Sequence, residues 1–226
     1  MYEDDRITVY SDTVYDTKEI ARVVARVDSL LNNASVTGVG AVTIILTSSE
    51  KVYSRKRFYQ ATGSLAGNYM WFNLIVFRPM DVAHDMSNPV DANLQKRPFS
   101  AVMAHELCHS WQRKRLGILK FLYYQRTRPW KLDGFADYVA QSSSLNEKDG
   151  VELFLAQDER TSWFEQDRGL WGTVYFYLKS RMRVDYLLRC KGIDEDEFWS
   201  ADYDEQKLDD EIRHALKTGA YQFPIE

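Results

Sequence analysis

His105-Glu106-Leu107-Cys108-His109 puts two imidazoles and a carboxylate within one short stretch. It lies inside the segment from Ser100 to Arg113. There Ala101, Val102, Ala104, Leu107, Cys108 and Trp111 recur at mixed spacings of three, four and seven, which predicts a helix with most of its surface buried. Pro98 and Ser100 can open that helix and Gly117 can close it. On a helix, a spacing of four sets His105 and His109 one above the other on the same face. Two imidazoles so placed can hold one Zn²⁺, and Glu106 beside the first can act as general base on a water there. The same residues also suit two core histidines on a buried helix.

A second stretch, Trp130-Lys-Leu-Asp133-Gly134-Phe135-Ala136-Asp137-Tyr138-Val139, follows. A hydrolytic zinc site needs a third protein ligand and an open position for water. Asp133 can supply that ligand. Asp137, four residues on, shares its helix face and could accept the free ring N–H of a ligating histidine. In the plainer reading both aspartates cap and solvate a helix, and Gly134 is a turn residue.

Together, His105-Glu-Leu-Cys-His109 and Trp130-x-x-Asp133-Gly-Phe-Ala-Asp137-Tyr138 resemble the gluzincin metallopeptidases, particularly the minimal peptidase MA-like domains. Those carry HExxH on one helix and W-x-x-E-G-x-A-x-Y on the next. The likeness spans residues 60–190 or so. It implies that His105 and His109 are zinc ligands and that Glu106 is the catalytic base. Asp133 stands where the family has its ligand Glu, and Asp137 where thermolysin-like members keep an Asp behind the ligands. Asp for Glu at 133 is the departure: one methylene fewer shortens the reach by roughly 1.5 Å.

The same resemblance implies that the strand before the motif helix is the edge of its sheet. Its free backbone groups would hold an extended peptide by strand addition. Gly67 and Asn68 could let a substrate backbone approach closely; an ordinary core strand with a bulge is the other reading. Tyr175 is the candidate donor to the oxyanion, since related peptidases use a Tyr or His on a later helix. Tyr177, Tyr138 and His214 are rivals for that role.

With 226 residues, 45 % apolar and 14 % aromatic, the chain can bury a sizeable core. A net charge of −4 selects no partner class. Cys108 and Cys190 make no disulfide framework, and Cys108 reads as a small buried thiol. The opening Met-Tyr-Glu-Asp-Asp-Arg is acidic and has no apolar core of the signal-peptide kind. No run is long enough to span a membrane. A cytoplasmic protein, of cellular or viral origin, with no membrane partner is therefore the expectation.

Ile7-Thr-Val-Tyr10 predicts a short strand. Asp16-Thr-Lys-Glu19 predicts a capping box before a helix through Leu31, ended by Asn32, Asn33 and Gly38. Gly40–Thr47 predicts a strand, Ser49 to about Gln60 a short helix, and residues 69–78 one strand rich in aromatic and branched side chains. Met80–Arg97 reads as a loop, with His84 a surface residue. The basic residues from Arg113 to Lys131, interleaved with Phe121, Tyr123 and Tyr124, read as a helix-and-loop exterior in preference to a nucleic-acid surface. Helices are expected from Gly150 to Glu165, over 170–178, and at 184–190, 194–199 and about 205–217.

Strand signals precede residue 80 and helix signals follow 98. The expected class is α+β and zincin-like: one domain over 1–226, with a mixed-sheet lobe at about 1–97, an edge strand over the active-site cleft, and a helical lobe at about 98–226. The expected function is a zinc-dependent metallopeptidase acting on a peptide or protein substrate. Two alternatives stand beside it. One is a weak or inactive zincin-fold binding or assembly protein, motivated by Asp133. The other is a DNA-associated zinc protease of the SprT-like kind, motivated by the HELCH stretch and the basic residues after it. That family lacks the Trp-x-x-Asp-Gly-Phe-Ala element.

Overall fold

Alternation of apolar residues buries Ile7 and Val9 in Ile7–Ser11 and Val42, Ile44 and Leu46 in Val42–Leu46, two neighbouring strands inside a five-stranded sheet. The computed structural model describes residues 1–56, 65–88, 94–156, 166 and 169–224. The fold is mixed α+β. The chain divides into two compact units: Met1–Leu122 with Val139–Ser142, and Tyr123–Tyr138 with Ser143–Glu226.

The first unit holds the sheet, in the order β1 (Tyr2–Glu3), β2 (Ile7–Ser11), β3 (Val42–Leu46), β5 (Leu74–Phe77), β4 (Ala66–Tyr69). Strands β2, β3 and β5 run parallel, while β1 and β4 pair antiparallel at the two edges. Helix α1 (Thr17–Asn33) crosses between β2 and β3 and buries Ile20, Val23, Val24, Val27 and Leu31. Its N-cap is Asp16, whose side chain accepts from Lys18 N at 2.9 Å. Helix α2 (Glu50–Lys56) covers the described part of the expected 49–60 helix; 57–60 lie outside the described residues.

The single strand expected at 69–78 is instead a hairpin. Strands β4 and β5 pair with Gly67 opposite Val76 and Asn68 opposite Ile75, joined by a 3₁₀ turn at Met70–Phe72. Asn73 makes the reversal by taking the left-handed conformation, φ 48°. The run of high strand propensity carries no Gly or Pro to mark that turn, so it looked continuous. Among the described strands β4 is therefore at the edge, and β5 lies inside the sheet. Within the expected 80–97 loop, β6 (Met80–Asp81) and β7 (Met86–Ser87) form a small antiparallel pair. Residues 89–93 of that loop lie outside the described residues.

Helix α3 (Phe99–Leu116) carries the His105–His109 motif and packs against α1 and β4. Pro98 precedes it without a side-chain cap, and Gly117 closes it at φ 73°. Asp85, 3 % exposed, substitutes for the missing cap. Its carboxylate accepts from Ser100 N at 2.7 Å and Ser100 Oγ at 2.8 Å, and Arg26 of α1 meets it at 2.7 Å. A negative charge at the free N–H groups of a helix start is favourable on both counts. Helix α4 (Ile118–Thr127) follows at once and runs out of the first unit at Leu122.

The second unit is helical. It contains α5 (Pro129–Ala140) up to Tyr138, then α6 (Glu147–Ala156), α7 (Leu170–Asp185) ending in a wider π-type turn at Tyr186–Cys190, α8 (Glu195–Ser200) and α9 (Glu205–Thr218). The 184–190 helix expected on its own is thus the end of α7. Much of the region expected to extend α6 toward Glu165 lies outside the described residues. No helix among the described residues is long and apolar enough to cross a membrane.

Lys131 corrects the reading of the basic stretch as exterior. It is fully buried, its Nζ donates to Phe198 O at 2.6 Å and Ala201 O at 2.7 Å, and the rings of Tyr203 and Phe198 lie 4.9 and 5.2 Å away. The ammonium satisfies carbonyls at the C-terminal end of α8, where a cation is favoured, and aromatic faces replace the rest of its hydration. A charge count along the chain cannot show such a pocket, because it is built by residues far downstream.

Candidate metal centre

Helix α3 presents His105 and His109 from successive turns. Their rings lie edge to face, with centroids 4.7 Å apart at 89°. The two Nε2 atoms approach to 3.1 Å. His105 is 7 % exposed and His109 half-buried. Two nitrogens bound to one tetrahedral zinc at 2.0–2.1 Å are about 3.3 Å apart, so the pair already sits near the spacing that a shared ion requires. The imidazoles are the right donor chemistry for such an ion.

Two neighbours from the first unit hydrogen-bond to this part of α3. Gln112, fully buried one turn further on, places Oε1 at 2.8 Å from His109 Nδ1. With the amide oxygen as acceptor, His109 holds its hydrogen on Nδ1 and presents the Nε2 lone pair toward His105. Asn68, in edge strand β4, donates from Nδ2 to the backbone oxygen of Glu106 at 2.9 Å. That bond ties β4 to the motif helix at the residue that follows His105. Cys108 is a fully buried thiol outside any disulfide, as the sequence suggested. Glu106 itself is half-buried.

Gln112 was missed in the sequence. Its spacing of three from His109 was the available signal, since such residues are neighbours on a helix. The tie from Asn68 to Glu106 had no sequence signal, because 38 residues separate them.

Asp133, Asp137 and Tyr175 belong to the second unit. Asp133 and Asp137 lie one turn apart on α5, Asp133 half-buried and Asp137 fully buried. Gly134 between them is no turn residue. A Cβ built on it would lie 2.5 Å from the backbone oxygen of Ser180 and 2.7 Å from its carbonyl carbon. Helices α5 and α7 therefore touch backbone to backbone at this point, and only glycine permits it.

Tyr175 of α7 is 2 % exposed and lines a cavity of about 380 Å³ with Lys179, Ser180, Arg183, Glu205 and Asp209. Of its rivals, Tyr177 is half-buried on α7 and His214 is exposed on α9. Burial, with the Asp185 carboxylate adding to it, pushes the Tyr138 hydroxyl above its ordinary value. It stays a donor through the neutral range. His84 is exposed in the loop and sits 2.9 Å from the Asp81 carboxylate.

No protein-family model, curated protein or solved structure matches the chain.

Proposed function

We propose that this chain is a zinc-dependent metallopeptidase with a zincin-like, gluzincin-type arrangement. The observation that carries the reading is the convergence of His105 Nε2 and His109 Nε2, 3.1 Å apart on a helix that places Glu106 next to the first of them. The donor chemistry also supports it, because two imidazoles on one helix and a carboxylate are the ligand types that a hydrolytic zinc uses. In the reading Asp133 is the third ligand, and Asp137 steadies a ligating histidine. Zn²⁺ held there would polarise a water and bring its pKa toward neutrality.

The chain's own residues do the remaining work. Glu106 takes a proton from the attacking water and delivers it to the leaving amine. Tyr175 donates to the oxyanion that forms at the scissile carbonyl. Strand β4, the outermost described strand on that side and the one holding Gly67 and Asn68, would take the extended substrate backbone. Asn68 keeps that strand at a set distance from Glu106.

Elemental analysis of the wild type and Asp133→Ala, purified side by side, tests this. About one zinc per wild-type chain, sharply reduced in the variant, is expected for a three-ligand site. A folded wild type that takes up no zinc overturns the peptidase reading and leaves a binding or assembly protein.

A further inference from the structure

Large apolar side chains are exposed at two places in the first unit, both linked to the C-terminal end of α3. The tip of the β4–β5 hairpin projects Trp71 and Phe72, 68 % and 78 % exposed. Arg113, near the end of α3, binds the Oδ1 of Asn73 beside that tip. Helix α4 starts a few residues later and exposes Ile118, Leu119 and Leu122, with Leu119 82 % exposed. Tyr123, one turn beyond Leu119, is 53 % exposed. Phe121 and Tyr124, on the opposite side of α4, are buried. An apolar stripe on the outer face of a helix already packed on its inner face needs a partner.

Charge says which kind. From Leu107 to Leu132 the chain has no Asp or Glu, although its net charge is −4. Arg113, Lys114, Arg115, Lys120 and Arg126 all fall in that interval. A second copy of this chain would set the basic segment against itself, which like charges oppose. An anionic surface suits it. Trp71, Phe72, Leu119 and Leu122 stand out from a hairpin tip and a helix crest, so they suit a deformable surface into which points can sink. Trp and Tyr beside Lys and Arg is the composition favoured at a membrane–water interface.

We infer that the Trp71–Phe72 tip and the outer face of α4 dock this protein peripherally on an anionic phospholipid bilayer. The apolar side chains enter the headgroup region and the flanking cations meet lipid phosphates and carboxylates. No segment crosses the bilayer in this arrangement.

Vesicle flotation of the full chain tests it. The probes are phosphatidylcholine vesicles with about one third phosphatidylserine and vesicles of phosphatidylcholine alone. The protein is expected to float with the anionic vesicles only, and to be released as salt is raised. Trp71→Ala/Phe72→Ala and, separately, Leu119→Glu are each expected to weaken binding about tenfold or more. Both replace exposed residues, so thermal melting should match the wild type; if one variant melts early, the other decides. A wild type that stays in solution, or variants that float equally well, overturns the inference. So does tighter binding to duplex DNA than to anionic vesicles, which would reassign the surface to nucleic acid.

Discussion

Gln112 Oε1 lies 2.8 Å from His109 Nδ1, one turn along the same buried helix. This contact selects which nitrogen of His109 is available on the face shared with His105. Gln112→Leu keeps the volume and removes the acceptor. It is expected to lower zinc affinity by about 10–100-fold with little change in helix content. Competitive chelator titration reads the affinity, and nitrogen chemical shifts of the metal-free protein read the His109 tautomer. An unchanged tautomer and affinity would remove Gln112 from the site.

Glu106→Gln preserves size and removes the proton acceptor. The variant should bind zinc as the wild type does while losing peptide hydrolysis by at least about 10²-fold. Zinc content and turnover of a casein-type substrate, measured on one preparation, separate the two properties. Retained turnover would show that Glu106 is not the base.

The backbone contact between Gly134 and Ser180 predicts a packing defect. Gly134→Ala must push α5 away from α7, because the atom that it meets is main chain. A loss of about 1–3 kcal/mol is expected from overpacking, despite the higher helix propensity of Ala. Denaturant unfolding checks it; a stabilised variant would show that the helices separate without cost.

Asp85→Ala removes the carboxylate that serves Ser100 N, Ser100 Oγ and Arg26. Loss of a cap typically costs about 1 kcal/mol, and more where buried donors are stranded. Hydrogen exchange should report the change first at the start of α3. Ser100→Ala is expected to cost less, since the backbone bond to Asp85 survives.

Acid sensitivity should concentrate in α7 and α9. Burial alone would raise the Asp209 carboxyl, but Arg183, bonded through two nitrogens at 2.7 and 2.9 Å, and Lys179 at 2.8 Å outweigh it and hold it below its ordinary value. A carboxyl lowered in the folded state binds its proton more readily when unfolded. Its contribution is therefore complete above the unfolded value of about 4 and is lost as pH falls through the lower folded value. Asp209→Asn should be destabilised by about 1–3 kcal/mol at neutral pH, since it removes the buried carboxylate charge facing Arg183 and Lys179 while Arg183 keeps Glu205. Its melting temperature should also fall less than that of the wild type below about pH 4. Parallel acid slopes would place the acid-sensitive group elsewhere.

What could be read directly was local. Pro98, the apolar spacing through Trp111 and Gly117 outlined α3 to within a residue or so of Phe99–Leu116, because a helix repeats over a few residues and its ends have their own chemistry. The same holds for α1 behind Asp16 and for the strand cores at Ile7–Ser11 and Val42–Leu46. The four-residue step from His105 to His109 follows from helix geometry alone. The hairpin at Met70–Phe72 escaped notice because Asn73, a non-glycine residue in the left-handed region, makes the turn.

Residue order alone thus specified which side chains share a helix face, and with them the paired imidazoles and the neighbouring carboxylate. Long-range packing assigned the rest. It put β4 rather than β5 outermost among the described strands, tied Asn68 to Glu106, and enclosed Lys131 among rings and carbonyls that include those of Phe198 and beyond. It also brought Ser180 against Gly134. Backbone geometry repeats within a few residues and can be read from spacing. Contacts between distant segments depend on how whole surfaces fit, and no local pattern of residues encodes that fit.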